Sequence, residues 1–265
     1  MFNKRHIVRT IAATVSILAL SFTAACGSGQ STASNSTDSD DITQQTYKPG
    51  KLTIATGQPA YEPWVMNDKP ESGEGYEAAV AYAVADKLGF KKSDVVWTRT
   101  AFDTAIAPGA KDWDFNIQQF GITDERKKAV DFSSSYYNDS QSVVVKKDSK
   151  FANATKVSDL KDATVGVMVG TLAYDYAKAN IKDDIQTFND DAALAQALDA
   201  GQIDALVTST VECVYMVQSE QVKDAKVLGR LPDSEDKSGM GIVLPKDSKL
   251  TACLLYTSPS PRDTR

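Results

Sequence analysis

The 265-residue chain carries 29 Lys and Arg against 35 Asp and Glu, a formal net charge of −6, and 42 % of its residues are apolar. That is enough apolar material for one large domain or two smaller lobes, and the acidic balance excludes the basic patch a nucleic-acid partner demands. The single histidine is His6, so the body of the protein has no histidine for acid–base chemistry, for a Ser-His-Asp triad or for zinc; neither cofactor nor metal is expected.

At the N-terminus, Lys4, Arg5 and Arg9 precede an apolar run over residues 11–22, too short and too early for a working membrane span. Thr23-Ala24-Ala25-Cys26 follows. The order reads as an export signal over residues 1–26 ending in a bacterial lipobox, with Cys26 as the lipidated first residue of the mature chain. An ordinary secretory signal with Cys26 as a bystander is the alternative. "GSGQSTASNSTDSDD", residues 27–41, has almost nothing to bury and reads as a flexible tether, which we extend to residue 49. Lipid, tether and body together describe a protein on the outer face of a Gram-positive cell membrane, held by its lipid alone. Export permits a disulfide between Cys213 and Cys253, but sequence does not show that they meet.

The body opens with an alternating run over residues 51–56, a predicted strand. Residues 57–74, rich in Pro, Gly and aromatics, read as loop. Residues 76–88 carry Val80, Val84 and Leu88 at helical spacing before Gly89, so a helix with a glycine stop is expected. Strand 95–97, a short helix over 102–107 and strand 114–120 follow. The last passes at Gly121-Ile122-Thr123 into a charged helix carrying Arg126. The rhythm then repeats: strand 163–168, a helix with Tyr174 and Tyr176 opening at Gly170-Thr171, strand 185–188, helix 191–200 closed by Gly201, and strand 203–208. "GAKDWDFNIQQ" and "DAGQIDALVTS" have the same plan of helix end, aspartate and apolar strand. Two βαβ-type units imply two lobes, each with a mostly parallel sheet, and a ligand cleft beyond the strand ends. Runs 142–146 and 241–244 are expected to cross between the lobes as hinges; edge strands of a single sheet are the alternative.

"YEPW", "GYEAAVAYAVADKLGF", "GITDERKKAVDFSSSYY", "DATVGVMVGT", "ALDAGQIDALVTS" and "GMGIVLPKDSKL" stand in the order found in family 3 extracellular solute-binding proteins, the receptors of polar amino-acid ABC importers. The chain resembles that family over about residues 50–253, most specifically in the ITDER and VDFSSSYY block. The resemblance implies an α/β, two-lobed periplasmic-binding-protein type II fold. Lobe 1 would comprise residues 50–141 and 240–253, and lobe 2 residues 142–239 with hinge strands. It further implies a monomeric, non-catalytic receptor that passes a small amino acid or related carboxylate to an ABC permease.

By position in the family pattern, Arg126 pairs with the ligand carboxylate through its planar donor fork. Gln119 and Gly121 flank that carboxylate, at positions where relatives often carry serine. Thr171 meets it from the second lobe, followed by Leu172 where relatives usually place a second threonine. Gln58, Tyr61, Trp64 and Phe102 line the side-chain pocket. Ser209 stands where relatives commonly carry the aspartate that binds the ligand ammonium, and serine supplies no charge there. Glu77 and Glu212 are candidates to substitute. Pro259 and Pro261 set residues 254–265 apart as an anomalous, foreign-looking tail. Two alternative functions share the fold: a dehydratase-like cleft enzyme relying on Glu77 or Glu212, and the sensor domain of a signalling receptor.

Overall fold

The structure, a computed structural model, describes residues 41–257. The export signal, Cys26, residues 27–40 of the expected tether and residues 258–265 lie outside the described residues. In chain order the elements are β1 (Leu52–Thr56), α1 (Tyr76–Lys87), β2 (Val95–Arg99), α2 (Phe102–Ile106), β3 (Phe115–Asn116), β4 (Asp131–Tyr137), β5 (Gln141–Lys146), β6 (Val165–Met168), α3 (Leu172–Asn180), β7 (Gln186–Phe188), α4 (Asp191–Asp199), β8 (Ala205–Ser209), α5 (Thr210–Gln218), β9 (Ala225–Arg230), β10 (Met240–Leu244) and α6 (Leu250–Thr257).

These strands form two five-stranded sheets, β2-β1-β3-β10-β4 and β7-β6-β8-β5-β9. Each sheet has three parallel strands followed by two antiparallel pairings. The two orders superpose position for position, so the repeated rhythm of the sequence is a repeated sheet. The chain leaves the edge strand β4 of one sheet to enter the fourth position of the other as β5. It returns from the edge strand β9 to enter the fourth position of the first as β10.

This corrects the expected hinges. Runs 142–146 and 241–244 are neither crossings nor edge strands: they are β5 and β10, internal to different sheets. Burial on both faces makes the centre of β5 apolar, with Val143 and Val145 in one core cluster and Val144 in another. The crossings are residues 138–140 and 231–239.

Local chemistry sets the element ends. Thr171 caps α3 by accepting from Tyr174 N, Asp190 caps α4 by accepting from Ala193 N, and Ser209 caps α5 by accepting from Glu212 N. Gly75, at φ 102°, is forced at the start of α1, because a Cβ there would lie 2.4 Å from Trp64 O. The predicted strand 114–120 is ladder-paired only over Phe115–Asn116, and Gln119 at φ 52° ends its extension. The expected helix around Arg126 is a single 3-10 turn, Arg126–Lys128, whose entry is held by Arg126 N donating to Thr123 Oγ1 at 3.1 Å.

One further expectation changes. The tether does not reach residue 49: Ile42 packs on the first core, Thr46 is buried, and Tyr47 N donates to Asp114 Oδ1 at 2.6 Å. Of the tail set apart in the sequence, residues 254–257 form the last turn of α6, with Leu254 fully buried in that core. Cys213 and Cys253 lie in separate clusters and are not joined to each other.

Candidate functional site

Between the two sheets lies a cavity of about 70 Å³ lined by residues of both lobes and both crossings. Tyr61, Phe102, Gln119, Gly121 and Arg126 come from the first lobe, and Thr171, Leu172, Ser209 and Glu212 from the second. Asp139 and Asp236 come from the crossings. Of the ten ligand-site residues expected from sequence, Arg126, Gln119, Gly121, Thr171, Ser209, Tyr61 and Phe102 meet here.

The Arg126 guanidinium is held from three directions. Nη1 donates to Gly121 O at 2.7 Å, Nη2 reaches across to Gly170 O at 2.8 Å, and Cζ lies 5.6 Å from the centre of the Phe102 ring. Phe102 itself stacks on Phe120 at 4.6 Å. Burial depresses the Arg126 pKa, while Asp175 and Asp236 act against that shift. No carboxylate forms an ion pair with it among the described residues. Thr171, Leu172 and Ala173, at the start of α3, line the same cavity. The first-turn amides of a helix have no intrahelical acceptor and favour an anion. Arginine from one lobe and a helix N-terminus from the other thus make an anion seat that is complete only when the lobes are together.

Gly121 and Leu172 explain each other. A Cβ at residue 121 would lie 2.5 Å from Leu172 Cδ1 and 2.9 Å from Asp236 Oδ2. The leucine on α3 fills the space that a serine at 121 would need.

Glu77 and Trp64 do not line the cavity. Glu77 is fully buried behind it, accepting from Gln119 N at 2.8 Å, from Gln119 Nε2 and from the Tyr136 hydroxyl. Burial pushes its carboxyl up to about 7, with Tyr136 and Gln119 pulling the other way. It holds Gln119 in its left-handed conformation and touches no ligand space. Trp64, 1 % exposed, packs edge-on against Tyr76 and Tyr137 in the core. Gln58 lines a neighbouring cavity that shares Tyr61 and Phe102.

Ser209 lines the cavity with its hydroxyl already engaged as the α5 cap. Below it, Thr208 Oγ1 lies 2.9 Å from Glu212 Oε2 and 3.4 Å from Asp191 Oδ1. Burial pushes Asp191 up to about 6 and Glu212 well above the usual carboxylate range, and the two acids share a hydrogen bond. Two buried acids in contact each disfavour ionisation of the other. Tyr61 closes the cavity from above, its hydroxyl accepting from Ala192 N at 3.2 Å, and burial raises its pKa.

Sequence reasoning did not foresee Asp139, Asp191 or Asp236. Asp190-Asp191 before an alanine-rich helix was a readable N-cap signal; the two crossing aspartates stand in no motif.

The profile of the bacterial extracellular solute-binding proteins, family 3, matches residues 52–209, more than half of the chain. This chain belongs to that family. The solute-binding protein is 28 % identical over 219 residues to the L-arginine-binding protein of Pseudomonas aeruginosa, covering 77 % of this chain and 78 % of that one. It is 32 % identical over 225 residues to the glutamine-binding protein of Geobacillus stearothermophilus, covering 77 % and 82 %. Among solved structures, an ancestral arginine-binding protein bound to arginine superposes with a TM-score of 0.67 at 30 % identity, over 78 % of this chain and 90 % of that one. The two-lobed fold expected from the resemblance is thereby established.

Proposed function

We propose that this solute-binding protein is a non-catalytic, extracytoplasmic receptor that binds a small amino acid or related carboxylate in the cleft and delivers it to an ABC importer. The observation that supports this reading most is the anion seat. Arg126 and the start of α3 face one cavity from opposite lobes, so a carboxylate held by both favours the closed arrangement. Gln119 and Gly121 flank the carboxylate, Thr171 meets it from the second lobe, and Tyr61 and Phe102 wall the side-chain space. The similarity to arginine- and glutamine-binding proteins supports an amino acid as the ligand. Lobe 1 is then residues 42–137 with 240–257, and lobe 2 is residues 141–230.

The partner is a membrane permease, and the protein works as a monomer on the outer face of the cell membrane, anchored by a lipid on Cys26. Among the described residues no helix is long and apolar enough to cross a membrane. Cys26→Ser is expected to move the protein from membrane to medium, and its retention on salt-washed membranes would contradict the anchor.

The reading is tested by calorimetric titration of the purified protein with L-arginine, L-histidine, L-glutamine and L-cystine. Saturable one-to-one binding of at least one is expected. No heat from any of the four would contradict the amino-acid reading.

A further inference from the structure

Three buried side-chain oxygens that line the cavity have no hydrogen-bond partner: Gln118 Oε1, Asp139 Oδ2 and Asp236 Oδ2. All three are acceptors, and no donor of the cavity lining is orphaned in the same way among the described residues. A buried acceptor without a donor is costly, so this wall is built for a ligand group that brings protons.

The two aspartates are tied to the two crossings and to each other. Asp236 N donates to Asp139 O at 2.9 Å, joining the outgoing crossing to the returning one. In each side chain one oxygen is satisfied locally. Asp139 Oδ1 accepts from Ser140 N at 2.7 Å, and Asp236 Oδ1 accepts from Ser238 N at 3.1 Å and Gly239 N at 2.9 Å. The second oxygen of each is left over. Asp236 Oδ2 would lie 2.9 Å from a Cβ on Gly121, so it stands beside the Arg126 seat.

A structural role for Asp139 also exists. It faces the start of α5; burial raises its pKa, and Ser140 N, the Ser209 hydroxyl and the amides of Val211 and Thr210 act against that shift. That role explains its position but leaves Oδ2 without a hydrogen bond. Ser209, with no charge of its own, cannot answer a cation. Burial raises the Asp236 pKa, Arg126 acts against that shift and Asp139 adds to it; a cation placed between the two carboxylates relieves their repulsion.

We infer that Asp139 and Asp236, on the two inter-lobe crossings, seat the α-ammonium of the bound amino acid while Arg126 holds its carboxylate. The inference rests on the amino-acid reading proposed above. A cationic side chain could in principle answer the same oxygens. The α-ammonium is favoured because it is borne on the carbon next to the carboxylate, and Asp236 stands next to the carboxylate seat. The specificity for α-amino acids thus sits on the hinge segments and not on the second lobe.

The test uses the tightest binder among L-arginine, L-histidine, L-glutamine and L-cystine, and its analogue with hydrogen in place of the α-ammonium. Each is titrated into wild type, Asp139→Asn, Asp236→Asn, the double variant and Glu235→Gln, after circular dichroism confirms folding. Glu235→Gln makes the same charge change on the same crossing, at a side chain that is exposed and does not line the cavity. Each single aspartate variant is expected to weaken the amino acid about tenfold or more and to leave the analogue within about threefold of wild type. The double variant loses most of the preference for the amino acid, and Glu235→Gln stays within about threefold throughout. Retention of amino-acid affinity within about threefold in both aspartate variants, or equal loss of amino acid and analogue, overturns the inference. If wild type binds none of the four, the amino-acid reading itself fails and takes this inference with it.

Discussion

A guanidinium with two backbone acceptors and no ion pair is the residue on which the site turns. Arg126 is positioned within its own lobe by Gly121 O and the Phe102 ring, so its orientation is set before a ligand arrives, and Gly170 O joins it on closure. A desolvated, bidentate carboxylate pair loses about 2–5 kcal/mol when one partner is removed, against under about 1 kcal/mol for an exposed pair. Arg126→Ala is therefore expected to weaken every carboxylate-bearing ligand by roughly thirtyfold or more. Arg126→Lys recovers only part of the loss, because an ammonium lacks the fork. Lys127, exposed and paired with Asp124 at 3.3 Å, is the control: Lys127→Ala leaves binding unchanged. Calorimetric titration of the three variants reads all of this, and a Kd for Arg126→Ala within about threefold of wild type would reduce Arg126 to a structural arginine. The site was only partly legible at this scale. Arg126, Gln119, Gly121 and Thr171 stand at fixed places in a motif order, and the structure brings them to one cavity. Trp64 could not be told from a pocket aromatic, since apolar bulk looks the same in a core and in a cleft. Glu77 was found as a charge, but its burial behind Gln119 is a fact of packing.

Among the elements, α5 links the lobes most directly. Its Tyr215 hydroxyl bonds Glu62 in the first-lobe loop, and the closed arrangement also gains the Tyr61–Ala192 and Arg126–Gly170 contacts. Tyr215→Phe removes one of these without touching the cavity. A hydrogen bond of this kind contributes about 1 kcal/mol net, so ligand affinity should fall about fivefold with little change in thermal stability. Unchanged affinity would mean that α5 does not report on closure. Helices α1 to α4 and the parallel strands were legible from periodicity and caps; α5 was not read. β5 and β10 were misread as hinges because a short apolar run between turn residues carries no record of which sheet it joins. That is decided by pairing with β8 and β9, or with β3 and β4, far away in sequence. β4 escaped notice because its serines mask the alternation. α6 was not read because the prolines beyond it set residues 254–265 apart, although Leu254 fills the first core.

For the whole molecule, buried acids set the response to pH. Glu77 is raised from 4.5 to about 7 and Asp191 from 3.8 to about 6, both chiefly by burial. A carboxyl with a raised folded pKa binds more protons folded than unfolded, so its contribution is most favourable at low pH and is lost as pH rises towards the folded value. Stability should therefore fall between about pH 5 and pH 7.5, by about 2 kcal/mol or more, as read by urea unfolding. The exposed Asp94, Asp159 and Asp199, held below the usual aspartate value of 3.8, act in the opposite sense only at lower pH. Flat or rising stability over that window would contradict the burial of Glu77 and Asp191. The closed cavity of about 70 Å³ is small beside the roughly 300–1,000 Å³ of ligand sites; the receptor proposed above therefore opens to admit a ligand and closes when a ligand carboxylate joins Arg126 to α3. Small-angle scattering with and without the tightest of the tested amino acids measures that closure directly. The account predicts a smaller radius of gyration for wild type at saturation, and no decrease for Arg126→Ala at the same ligand concentration. A radius that stays unchanged in saturated wild type would contradict it.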